Sequence, residues 1–239
     1  MRDRLRPFIG FALAAALLSA CAPPLSQPTE GEQQRPAGFP DAYYQRAVER
    51  GEPVFRIDAT QSLVVIEVRR GGPFAQAGHD HVVVSHDVQG FVAPKGARAD
   101  LYVKLDLLIV DEPSLRSEAG FDTQISEAAI AATRANMLGR VLHADEHPFA
   151  LVSIAGVDAN RYLDVAITLN GVTRKMRIPA EIEMSSAGPS ADELSIAGRL
   201  ALDQSDFGIT PLSLLGGAIQ VQDRLNVRFS IRGRRRPEF

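Results

Sequence analysis

The sequence predicts an all-β body of antiparallel strands, rolled into a barrel or stacked as a sandwich, with one helical insertion. Three observations carry this. From Val54 onward, apolar residues recur at every second position, the period of a strand with one apolar face and one wet face. An Asn170–Gly171 pair separates two such stretches, and both residues tolerate the positive φ that a tight hairpin turn demands. Gln124–Leu142 breaks the pattern with an alanine density that favours helix.

The N-terminus reads as an address. Met1–Pro7 is basic, Phe8–Leu18 is apolar, and Leu18-Ser19-Ala20-Cys21 follows, the order of a secretory signal peptide. An apolar run of 11 residues is too short to span a bilayer, which takes about 20. Residues 1–20 are therefore expected to be removed. The site resembles a bacterial lipobox, which implies a diacylglycerol thioether on Cys21. At about 0.8 kcal/mol per buried CH₂, two or three acyl chains anchor a protein firmly. Ala22, rather than aspartate, follows the cysteine, which by resemblance to enterobacterial sorting points to the outer membrane. Cys21 is the single cysteine, so an intrachain disulfide and a cysteine zinc site are both excluded. Ala22–Pro40 carries Pro23, Pro24, Pro28, Pro36 and Pro40 and reads as a tether with too little apolar surface to order itself. Asp41–Arg50 reads as a short helix with Asp41 as N-cap and Gly51 at its end. Residues 21–52 thus form a lipidated N-terminus, tether and helix, and 53–233 the β body.

Within the body, Leu101, Val103, Leu105 and Leu107 alternate with polar neighbours. So do Leu163–Leu169, Met176–Met184, Leu194–Leu202 and Val221–Ile231. Strand centres fall near 56, 66, 87, 105, 153, 166, 180, 198 and 226; the first two read as one bent strand, which gives about eight. The helical insertion at 124–142, bracketed by Gly120 and Pro148, crosses between strands and would cap one mouth of a barrel. Arg232 and Arg234–Arg236 read as a solvated tail.

The formal net charge is −3, of which the first 20 residues contribute +2, leaving −5 for the rest. A mildly acidic body argues against nucleic acid as a partner. The sequence contains neither a Gly-x-Ser-x-Gly elbow, nor a phosphate-binding P-loop, nor a Gly-x-Gly-x-x-Gly turn, so no cofactor is expected. Asp111 and Glu112 are neighbours that would face opposite sides of a strand and read as surface charges. The histidines are His79, His81, His86, His143 and His147. The histidines are expected to hydrogen-bond loops at one end of the fold; as an alternative, His79 and His81 point the same way in an extended segment and could share a metal, with His143 or His147 as a third ligand. His86 shares the phase of Val84 and Val88 and is expected toward the apolar face.

Several segments together resemble a known family. Phe55-Arg56-Ile57-Asp58 is similar to an opening strand, Gly78-His79-Asp80-His81 to a glycine-histidine turn, and Gly90-Phe91 to a strand ending. His147-Pro148-Phe149 is similar to a helix exit, Leu169-Asn170-Gly171-Val172-Thr173-Arg174 to the most specific motif, and Phe207-Gly208-Ile209 with Val221–Leu225 to a closing strand pair. In order and spacing they resemble the YceI-like family of lipocalin-like, polyisoprenoid-binding periplasmic proteins. Gln61-Ser62 stands where core members carry histidine-serine. The resemblance implies an up-and-down, lipocalin-like barrel in the cell envelope that binds an isoprenoid- or quinone-type lipid and does no chemistry. Its inward face is expected from Val84, Val88, Leu105, Leu107, Val165, Ile167, Ile178, Ile182, Leu200, Val227 and Phe229, with His79 and His81 near a polar head group at the mouth. A histidine metal site and a solid barrel that binds a protein partner stay open as alternatives, because a packed interior and a lined cavity use the same residues.

Overall fold

The structure is a computed structural model that describes residues 35–121, 123–186 and 192–235. The signal-like segment, Cys21 and the tether as far as residue 34 lie outside the described residues. Along the chain, helix α1 (Asp41–Glu49) precedes β1 (Phe55–Ile57), β2 (Leu63–Val68), β3 (Arg70–Gly71), β4 (His81–Ser85), β5 (Val88–Ala93), β6 (Arg98–Lys104) and β7 (Ile109–Val110). Helices α2 (Pro113–Glu118) and α3 (Glu127–Asn136) follow. Next come β8 (Phe149–Val157), β9 (Tyr162–Leu169), β10 (Val172–Ser186), β11 (Asp192–Asp203), β12 (Ser213–Leu214), β13 (Ile219–Val221) and β14 (Arg224–Arg235).

The main sheet runs β1-β5-β6-β8-β9-β10-β11-β14, and β14 pairs back onto β1. The strands close into an eight-stranded antiparallel barrel, and the same sheet continues from β14 through β2 and β4 to β7, which has β4 as its strand partner. As the sequence suggests, β1 and β2 are two halves of one bent strand: β14 pairs with β2 over Asn226–Ser230 and with β1 over Gly233–Arg235. The stretch centred near 87 is bent in the same way, with β4 on β2 and β5 on β1. The β9–β10 hairpin turns on Asn170 (φ 50°) and Gly171 (φ 72°), with Leu169 opposite Val172. Two consecutive positive φ values match the twist of the flanking strands.

Two helices cover the outside, which explains strands buried on both faces. Tyr44 and Ala47 of α1 pack on Val54, Phe91 and Ala93, and the Tyr44 hydroxyl donates to Asp100 at 2.7 Å. Leu115 of α2, with Phe121 beyond it, packs on Val65, Val82 and Val84. Helix α1 ends with Gly51 N–H on Val48 O and Glu52 N–H on Ala47 O, a Schellman pair. Its N-cap is Pro40, and Asp41 is the first helical residue rather than the cap expected; the carboxylate there still favours the positive end of the helix dipole.

The structure corrects three further boundaries. The strand expected near 105 ends at Lys104, where Leu105–Leu107 form a 3-10 turn. The insertion is α3 followed by a wide π-type turn, Met137–Val141, shorter than 124–142. Its N-cap is Ser126, whose hydroxyl accepts from Ala129 N–H. Arg232, Arg234 and Arg235 are not a tail: β14 continues to Arg235, and Arg234 lies 3.1 Å from Asp58, while Arg236 lies outside the described residues. Their side chains are exposed while their backbone closes the barrel.

Candidate functional site

One half of the barrel is filled. Phe55, Ile57, Val92, Ala99, Leu194, Ala180 and their neighbours form a buried core there. The other half encloses a cavity of about 570 Å³. Protein interiors normally pack to crystal density, and ligand pockets run from about 300 to 1,000 Å³. This volume therefore lies in the ligand range, far above a packing defect. The wall is largely apolar, with Ile66, Val83, Leu101, Val103, Val152 and Leu225 among its residues.

Helix α3 forms the lid. Ala129, Ala132, Thr133 and Asn136 face the cavity; their i, i+3, i+4, i+7 spacing is one helical face. Met137, Val141 and Leu142 of the following turn extend it. The helix is fastened by Arg134, whose guanidinium donates to Leu108 O at 3.1 Å and also to Asp106 O.

Of the residues expected to face inward, Val88, Leu105, Val165, Ile167, Ile178, Leu200, Val227 and Phe229 line the cavity. Three others do not. Val84 packs outward against Leu115 and Phe121; in the run Val82-Val83-Val84 every position is apolar, so the period carries no phase, and the inward one is Val83. The break at His86–Asp87 between β4 and β5 then resets the phase. Leu107 is 46% exposed, because the strand has already turned. Ile182 faces inward beyond the cavity, against the filled half. His86 is also corrected: it is exposed and bonds Glu112 at 2.8 Å.

The polar mouth is built by His79, His81, Gly78 and Arg70. The two imidazoles meet edge to face at 6.4 Å. Asp111, expected on the surface, is buried. It sits at φ 61°, with Oδ2 2.6 Å from His81 Nδ1 and Oδ1 2.7 Å from Arg116 and 3.1 Å from Val82 N–H. Burial pushes its carboxyl up, but the bonds from His81, Val82 and Arg116 outweigh this and hold it below the usual carboxylate range. An ionised carboxylate only accepts, so His81 Nδ1 carries the proton toward Asp111, and Nε2 is the ring's remaining polar atom. Arg116 is further held by Asp80 O and Thr123 O. The sequence alone missed this Asp111–Arg116 brace, since β7 has two residues and no readable period. His147 lies instead beside Gly171, in the β9–β10 turn. Among the described residues no group of three His, Cys, Asp or Glu is placed to hold a metal, and Asp111 already engages one histidine of the pair.

The YceI-like domain matches residues 55–232. The chain belongs to the YceI-like family. Its barrel is similar to solved structures of low sequence identity. One is a polyisoprenoid-binding domain from Saccharophagus degradans implicated in plant cell wall breakdown: TM-score 0.52, 12% identity, 76% of this chain and 98% of that one. Another is BcnA of Burkholderia cenocepacia: TM-score 0.50, 13% identity, 74% and 98%. No curated protein matches by sequence. In this YceI-like barrel Leu169–Thr173 makes the hairpin turn beside which His147 lies, and the Gly78–His81 turn supplies polar residues of the mouth.

Proposed function

We propose that the protein binds an apolar isoprenoid- or quinone-type lipid without transforming it, in the bacterial envelope, tethered to the outer membrane by lipidated Cys21. The observation that carries this is the cavity of about 570 Å³ lined by aliphatic side chains. An aliphatic pocket with few polar partners selects a ligand that needs none along its length, at roughly 25 cal/mol per Å² of surface removed from water. The polar head would rest at the mouth, where His81 Nε2 can accept a hydrogen bond and His79 can donate or accept one. Membership of the YceI-like family and the polyisoprenoid-binding character of the Saccharophagus domain support the ligand class. The signal-like N-terminus supports the location, since the ligand dissolves in the same membrane. The test is native mass spectrometry of the purified protein, organic extraction, and uptake of ubiquinone and polyprenols from detergent. A bound or acquired polyprenyl mass is expected; a protein that carries none and takes up none would refute the proposal.

A further inference from the structure

Resting on that reading, we infer that the rim of the cavity is a membrane-docking tip, which inserts Phe74 and Leu215 into a lipid bilayer so that a ligand passes from it into the barrel. The rim is made by two loops joined as a small sheet: β3 pairs with β13, β13 with β12, and Phe74 N–H bonds Ala218 O at 2.8 Å. Their inner sides line the cavity through Gly78, Leu212 and Ile219. Their outer tips carry Phe74, 64% exposed, and Leu215, 80% exposed, while Leu214 is 44% exposed and also lines the cavity. Leu214 therefore links the exposed tip to the apolar wall, on the side of the rim away from the polar mouth residues Arg70, His79 and His81.

Two further observations identify a bilayer as the occupant. Gly71–Gly78 and Phe207–Gln222 contain no charged side chain, in a chain where 23% of residues are charged; Arg70, at the base of the rim, is paired with Asp80 at 3.7 Å and donates to Gly78 O. Charge is what a segment entering hydrocarbon must lack, and without a basic patch the docking needs no anionic lipid. Leu215 also holds a left-handed backbone, φ 50°, which costs an L-residue roughly 1–2 kcal/mol. A left-handed and exposed leucine stands at a hairpin tip where glycine or asparagine would be easier.

The chain has no tryptophan, so single probes report without background. The full chain carrying Phe74→Trp, Leu215→Trp, or Met184→Trp at the opposite end of the barrel is mixed with phosphatidylcholine vesicles, with and without brominated acyl chains. Emission from the probes at 74 and 215 is expected to shift to shorter wavelength and to be quenched, equally in anionic vesicles and at high salt. The probe at 184 is expected to stay in water. This reads insertion whether or not an N-terminal anchor holds the chain at the bilayer. The double variant Phe74→Ser, Leu215→Ser is expected to take ubiquinone from vesicles about tenfold more slowly, or worse, yet from detergent at the parent rate. Unquenched probes at 74 and 215 with detergent uptake intact would overturn the docking tip and leave the cavity reading standing. Quenching at all three positions would overturn the tip-first orientation. Loss of detergent uptake in the parent chain would overturn both.

Discussion

Ala150 on β8 lines the hollow half of the barrel, and Ala99 on β6 is 1% exposed in the filled half. The same change, alanine to phenylalanine, is expected to have opposite signs at the two positions. A benzene-sized cavity is about 150 Å³, so a phenyl ring at 150 takes roughly a quarter of the space and meets only apolar neighbours. Burying a phenylalanine side chain is worth about 1.5–3 kcal/mol. With part of the ring still unpacked, Ala150→Phe should stabilise the lipid-free protein by about 1–2 kcal/mol, or roughly 2–8 °C in Tm for a domain of this size. Ala99→Phe has no space to enter and should cost about 1–3 kcal/mol through overpacking. Ligand affinity moves the other way. If the ring displaces about 100 Å² of ligand contact, roughly 2.5 kcal/mol is lost, an affinity on the order of 50-fold weaker. The assay is calorimetry on extracted and on ubiquinone-loaded protein, with uptake titrated from detergent. A lower Tm for extracted Ala150→Phe, similar to that of Ala99→Phe, would refute the reasoning, because only a barrel filled along its whole length punishes both.

Three further outcomes follow from geometry. Tyr44→Phe deletes a 2.7 Å bond to the Asp100 carboxylate and should cost about 2 kcal/mol, as bonds to charged groups do, read as a lower urea midpoint at constant slope. Asp111→Asn should cost about 3–5 kcal/mol at neutral pH by leaving Arg116 buried and uncompensated. Because the folded carboxyl titrates below its ordinary value, this contribution is present above the unfolded pKa near ~3.9 and fades as pH falls through the lower folded value. Urea midpoints of parent and variant should therefore converge in acid, below about pH 4. Gly90→Ala should cost at least about 3 kcal/mol in the same melts: at φ 136° a Cβ would lie 2.2 Å from Asp100 O, across the β5–β6 ladder.

The fold was legible wherever one strand face stays wet. In β9 and β14 the charged or polar partner at every second position reports which side is in, and Val165, Ile167, Val227 and Phe229 line the cavity. Legibility failed where helices cover the outside. On β4 both faces are apolar, so Val84 could not be told from Val83. It failed also where the chain leaves the strand without a glycine or proline, as at Leu105–Leu107. The Asp111–His81 contact spans 30 residues and depends on a left-handed aspartate, which local pattern does not record.

Whether the barrel is hollow was the one question the periodicity could not reach, and the reason lies in residue size. Alternation marks which side faces in; it is silent on how far each side chain reaches. In the filled half, Phe55, Ile57, Val92 and Leu194 belong to one buried cluster. In the other half α3 and the loop before β4 present small groups, Ala77, Gly78, Ala129 and Ala132, and β8 adds Ala150. The alanines of 124–142 carried two signals. Their density gave the helix, and the spacing of Ala129 and Ala132 with Thr133 and Asn136 gave the face that lies over the cavity. Leucines on that face would turn the lid into a plug. A lid of alanines keeps the helix at nearly the best propensity and leaves the volume beneath it unclaimed by the protein's own side chains, so that the remaining apolar contacts are available only to a ligand.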